Sequence, residues 1–159
     1  MQWSTATRYK ILLKINNAVV NQTCKESLFK ALANELRNHF YYDRMCINLY
    51  DDTTKSLCYF AAADGIDPKG ILTKKSRPLM ESTIARMVIQ SRQSAIIDDL
   101  SCYSDRSSVR AMIEAGLNAT MAFPLIIRNR VLGSIHFSFK NSPSFRSTPL
   151  ICFISQLSR

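Results

Sequence analysis

The chain has 159 residues, 47% of them hydrophobic and 21% charged, which suits one globular domain with one sizeable core. Its longest apolar run, Met121–Ile127, is strand-sized and contains Pro124, too short to cross a bilayer, and Lys10, Lys14, Asn16 and Asn17 interrupt Tyr9–Val20, which therefore does not resemble a cleavable leader. The net charge of +9 raises the question of nucleic acid, but only Lys69, Lys74, Lys75 and Arg77 cluster, with no aromatic side chain among them to stack bases, so they read as a solvated surface and direct nucleic-acid binding is not expected.

The first helix is expected over Ser4–Gln22, where Leu12, Ile15 and Val19 recur at helical spacing. A second opens at Thr23, whose hydroxyl and Glu26 form a capping-box pattern, and it buries Leu28, Phe29, Leu32 and Leu36 before ending near Asn38–Phe40. Strands follow at Arg44–Tyr50 and Ser56–Ala62, joined by the polar turn Asp51–Lys55. Asp64-Gly65 and Asp67-Pro68 mark a loop, and Ile71–Arg77 reads as a short, lysine-rich edge strand. Glu81–Ser91 is expected to be helical, with Ile84, Met87 and Val88 inward. Ser94–Leu100 is then a short strand and Ser101–Ser104 a loop. Asp105 caps a further helix that Gly116 stops.

The most informative segment is Gly116–Phe139, two alternating strands about a tight turn at Arg128–Arg130. One face carries Met121, Phe123, Leu125, Ile135 and Phe137. The other carries Thr120, Ala122, Ser134, His136 and Ser138, all small or polar. Strand Arg44–Tyr50 divides in the same way, with Met45, Ile47 and Leu49 on one face and Arg44, Cys46, Asn48 and Tyr50 on the other. A last helix starts at Thr148-Pro149 and is still in full pattern at Arg159, so one domain over 1–159, excised from a longer polypeptide, is expected. Helices at both ends with antiparallel strands between them make the fold class α+β.

On Asp43–Asp51 and on Phe123–Ile135, with its Pro-Leu and Gly positions, the chain resembles the GAF domain family; Asp98-Asp99-Leu100 and Ala115-Gly116 fit as well. The resemblance runs from about Ile11 onward. It implies a central antiparallel sheet with the terminal helices on one face and short helices and loops over a ligand pocket on the other. Cys46, Asn48, Thr120, Ala122, His136 and Ser138 would line that pocket, beneath a roof made by Glu81–Ser91 and Arg106–Ala115. Read from the residues alone, Arg86 and Arg110 on the roofing helices are either bidentate partners for an anionic ligand or solvated helix arginines. The likeness is greatest to input domains of bacterial transcriptional activators and signalling proteins.

Chemistry beyond binding finds little support. Cys46 and His136 would be neighbours on such a pocket face, but no third group stands out to orient them, and no catalytic residue is assigned. The Val-Cys-Gly stretch of the free methionine sulfoxide reductases within the family has no counterpart, Cys102 lying in Ser-Cys-Tyr instead. No paired-cysteine or His-Glu-x-x-His spacing suggests a metal. The late Asn-Lys, Phe and Asp-Glu pattern of the cyclic-nucleotide-binding relatives is only half present, as Lys140 and Phe145, and the loop around Cys102 lacks the histidine that bilin attachment wants. The cofactor stays unassigned. Cys24, Cys46, Cys58, Cys102 and Cys152 are odd in number and far apart, so free thiols and a cytoplasmic location are expected. The leading expectation is a non-enzymatic sensor of an unidentified small molecule, dimerised through its terminal helices and coupled to an effector domain. A dimerisation or interaction domain without ligand, and a thiol-based redox enzyme or sensor using Cys46 or Cys102, remain as alternatives.

Overall fold

The computed structural model describes residues 4–20, 25–60, 64–68 and 76–142. In chain order these form α1 (Thr5–Val20), α2 (Lys25–Arg37), β1 (Arg44–Asp51), β2 (Ser56–Tyr59), β3 (Asp64–Gly65), β4 (Ser76–Pro78), α3 (Thr83–Ser91), β5 (Ala95–Ile97), α4 (Ser107–Glu114), β6 (Ala119–Ile127) and β7 (Arg130–Phe139). The sheet runs β4-β2-β1-β7-β6-β5 with β3 paired to β1, and every pairing is antiparallel. This is an α+β domain on a seven-stranded antiparallel sheet.

The bulky faces read from the sequence meet across β1, β7 and β6: Met45 stands opposite Phe137, and Ile47 opposite Ile135, while Met121 and Phe123 pair with Phe137 and Ile135 from the other side. Phe29, Ala33 and Leu36 of α2 and Ile11 of α1 cover them in one buried cluster. The helix that supplies most of this cover suits its place, with Glu26 in its first turn and Arg37 in its last, each opposite in sign to the adjacent dipole end. Truncating Ile135 to alanine should therefore cost about 3 kcal/mol in chemical denaturation. A loss below about 1 kcal/mol would place that face in solvent instead.

Several boundaries differ from the sequence reading for identifiable reasons. Asp64-Gly65 is a strand, not a loop, because the Asp64 carboxylate is tied by Arg37 Nε (2.7 Å) and Tyr42 Oη (2.9 Å) and the following amide of Ile66 donates to Asp43 O. Met87 is exposed; α3 buries Ile84, Ala85, Val88 and Ile89, a stripe rotated by part of a turn. Asp105 is no cap, since α4 begins after Arg106 without a side-chain cap bond and Asp105 pairs with Arg106. Asp99 caps instead, accepting from Ser101 N at 2.9 Å at a single 3-10 turn, Leu100–Tyr103. Gly116 does end α4, with φ +82 and its own and Leu117's amides returning to the Ile113 and Met112 carbonyls. The Thr23 capping pattern, the end of the second strand at Ala62, the lysines of the edge strand and the last helix lie outside the described residues, as do the inward side chains Leu12, Ile15 and Val19.

Candidate functional site

The opposite face of the sheet is also covered. Ile84 and Val88 of α3, with Val109 and Met112 of α4, pack on Ile97, Leu100, Leu117 and Ala122. These apolar contacts hold the two short helices over the β5–β6 side of the sheet. Further along, over β1 and β7, the helices and the sheet leave a cavity of about 40 Å³. Its floor is Arg44, Cys46 and Asn48 from β1 with His136 and Ser138 from β7, and cross-strand register pairs Arg44 with Ser138 and Cys46 with His136. Tyr59 and Arg77 form one wall, and Ser82, Thr83, Ile84, Ala85, Ser108 and Met112 form the roof. On this scale a single water needs roughly 10–15 Å³, so the space suits about three waters or one small molecule.

Two guanidiniums dominate its electrostatics. Arg44, 2% exposed, donates from Nη1 to Ile66 O (2.8 Å) and Asp67 Oδ1 (3.2 Å) and from Nη2 to Tyr59 Oη (3.1 Å). Arg77, 3% exposed, donates from Nε to Ser82 Oγ (2.6 Å) and from Nη2 to Asn48 Oδ1 (2.8 Å), and lies over the Tyr59 ring at 4.9 Å. Its remaining nitrogen, Nη1, is buried with no hydrogen-bond partner among the described residues. No carboxylate pairs with Arg77 there either, whereas Arg44 has Asp67.

The neighbouring titratable groups answer to burial and to this charge. Burial, reinforced by Arg77 and Arg44, pushes the His136 imidazole down to about 3, so it is neutral near pH 7; its Nε2 is 2.8 Å from Ser134 Oγ. Burial also raises the Cys46 thiol, outweighing the pull of the two arginines. Neither group is charged at neutral pH, so cross-strand proximity does not give a thiolate–imidazolium pair.

Of the residues singled out in the sequence, Cys46, Asn48, His136 and Ser138 meet at the cavity. Thr120 shares their face but lies beyond the rim, its hydroxyl held by Phe137 O (3.1 Å) and Ser138 Oγ (3.0 Å). Ala122 is filled in beneath α3 and α4. Arg86 and Arg110 lie away from the cavity. Arg86 reaches Met80 Sδ, and Arg110 curls back to the Ser104 and Asp105 carbonyls, so neither lines the cavity. The arginines that do line it were overlooked as ligand contacts. Arg44 was already marked by alternation with Cys46 and Asn48. Arg77 carried no such mark, since it closes a lysine-rich run and its burial follows from β4 pairing Arg77 with Leu57 at the sheet edge. Cys102 is exposed and apart from the site.

A sheet with a helical core on one face and a roofed polar cavity on the other defines a small α+β fold of the ligand-pocket type. The chain belongs to the GAF domain family, whose model matches residues 25–158. Its structure is similar to the GAF domain of an Acinetobacter phosphoenolpyruvate-protein phosphotransferase (TM-score 0.72, 16% identity, 98% of this chain and 90% of that one). It is also similar to free methionine-R-sulfoxide reductase from Neisseria meningitidis (0.71, 14%, 99% and 89%). A third likeness is to a domain of a putative two-component sensor histidine kinase protein from Sinorhizobium meliloti (0.62, 16%, 87% and 88%). At these identities the likenesses show the fold. No curated protein matches in sequence. Among the described residues, no helix is long and apolar enough to cross a membrane.

Proposed function

We propose that this chain is a non-enzymatic regulatory domain that senses a small molecule in the cavity between β1, β7 and α3, within a bacterial signalling or transcription-regulatory protein of the cytoplasm. The observation that carries this reading is the cost of the cavity walls. Arg44, Asn48, Arg77, Ser82, Thr83, Ser108, His136 and Ser138 are all buried there, and burying polar and charged groups around a void is unfavourable unless something fills it. A fold kept only for its shape would be more stable with apolar walls. The neutral state of Cys46 and His136 supports binding rather than thiol chemistry. Similar domains in a phosphotransferase and a putative sensor kinase support a regulatory setting, while the similar reductase is the reason catalysis is the competing class.

We further propose that the terminal helices join two copies, because α1 leaves Tyr9 (69%) and Leu13 (48%) exposed with Ile11 alone in the buried cluster on its described part. A symmetric contact repeats one patch on both subunits, so a ligand-driven tilt of the sheet would reach both together. Native mass spectrometry of freshly purified protein reads both points. The expected spectrum shows twice the chain mass plus a small increment that disappears on denaturation. A bare dimer in every preparation would favour a dimerisation or interaction domain with a vestigial pocket, and a monomer would overturn the two-copy contact.

A further inference from the structure

We infer that the cavity takes a small monovalent oxyanion, either free or as the carboxylate of a small molecule, held between Arg77 and the start of α3. The inference rests on the sensing role proposed above and specifies its ligand class.

Three observations meet at one place. Arg77 is a buried cation on the cavity wall with an unpartnered Nη1 and no carboxylate beside it among the described residues. Next to it, α3 begins at Thr83, and Ser82 occupies the position whose side chain ordinarily bonds the first-turn amides. That hydroxyl is instead engaged by Arg77 Nε at 2.6 Å and makes no cap bond. Thr83 N has only a long contact to Ser108 Oγ (3.4 Å), and Ile84 and Ala85, which follow it, also line the cavity. The first-turn N–H groups of a helix have no intrahelical acceptor and carry the positive end of its dipole. The arrangement therefore brings a spare guanidinium N–H and uncapped amides together, and the 2.6 Å bond fixes their spacing. An oxygen pair of one anion supplies the missing acceptor to both.

Charge and volume limit the ligand. Asp67 neutralises Arg44 and nothing described neutralises Arg77, so one negative charge completes the site and two would leave an excess in a poorly solvated space. Room for about three waters admits a planar oxyanion or a short carboxylate and excludes a nucleotide. His136, neutral and 2.8 Å from Ser134 Oγ, adds no competing charge.

The test is titration with sodium nitrate, sodium acetate and inorganic phosphate at pH 8, with chloride holding ionic strength constant, followed through the backbone amides of Thr83, Ile84 and Ala85 by NMR. Saturable shifts are expected with nitrate or acetate, and weaker ones with phosphate, which is mainly dianionic there. Acetate alone would identify a carboxylate ligand, and nitrate alone a free inorganic oxyanion. Arg77→Lys should weaken binding by about tenfold or more, because an ammonium lacks the guanidinium fork, and Arg77→Met should abolish it. Unaltered affinity in Arg77→Lys overturns the inference. Should Arg77→Met fail to fold, the guanidinium nitrogen resonances of the unaltered protein decide: they move with the anion, or the inference falls. If no anion binds yet native mass spectrometry shows a retained neutral molecule, the oxyanion is wrong and the sensing role stands. If neither anion nor retained molecule is found, both fall.

Discussion

Replacing Gly133 with alanine is expected to cost about 4 kcal/mol or more, the range reserved for changes that break a packed framework. A Cβ at Gly133 would lie 1.9 Å from Asn48 O, 2.9 Å from Asn48 C and 3.0 Å from Leu49 Cα. All three atoms are backbone of β1, the strand that β7 pairs with through Leu49 and Gly133, so no side chain can swing aside to relieve the clash. The two central strands would have to part, and the damage would travel. The Asn48 side-chain Oδ1 accepts from Arg77 Nη2, so β1 cannot shift without moving the cavity wall. Gly116→Ala is the informative control. Its φ is also positive, at +82, but nothing lies within 4 Å of the added carbon, so only the conformational penalty of about 1–2 kcal/mol applies. Equal losses in the two variants, measured by urea denaturation, would contradict the close approach of β1 and β7.

The second large effect is a loss of stability in mild acid. His136 is held neutral by burial and by the nearby Arg77 and Arg44, with its pKa lowered from 6.5 to about 3. Because the folded value lies below the unfolded one, the unfolded chain takes up the proton first as pH falls. Stability from this group is complete above about pH 6.5 and drains away toward pH 3. The ligand-free protein should lose about 2 kcal/mol between pH 7 and pH 5, and about 5 kcal/mol over the full window. Asp51, Asp52 and Asp99, whose carboxyls are lowered from 3.8 by hydrogen bonds, act only in stronger acid. His136→Gln should remove most of the slope between pH 5 and 7. A slope unchanged in that variant would show that the imidazole is solvated or that another group dominates.

What could be read in the sequence divides along physical lines. Alternation gave both faces of β1, β6 and β7, because strand side chains point to opposite sides irrespective of what packs on them. It also brought Cys46, Asn48, His136 and Ser138 to one surface, which the cavity shares. Helix content was legible, but helix rotation was less so. Spacing puts Met87 inward, three residues after Ile84, whereas the actual stripe includes Ala85 and Ile89. Arg86 and Arg110 illustrate the same limit, for a helical arginine long enough to reach a pocket is also long enough to fold back on a carbonyl, as Arg110 does. Arg77 was illegible for a different reason. Its burial depends on a three-residue strand, β4, pairing with β2 at the sheet edge, and on hydrogen bonds to Asn48 and Ser82, which lie 29 and 5 residues away in the chain. Nothing in Ser76-Arg77-Pro78 itself distinguishes a buried cation from an exposed one.

Both the sensing role and its ligand class depend on a ligand sitting in the cavity beside Arg77. The most direct measurement is a high-resolution crystal structure of protein purified rapidly from cells, on a sample whose mass shows a retained small molecule. The predicted result is density for that molecule in the cavity, within hydrogen-bond distance of Arg77 Nη1 and of the amides at the start of α3. Ordered water alone at Arg77, with the retained molecule bound elsewhere on the chain, would contradict it.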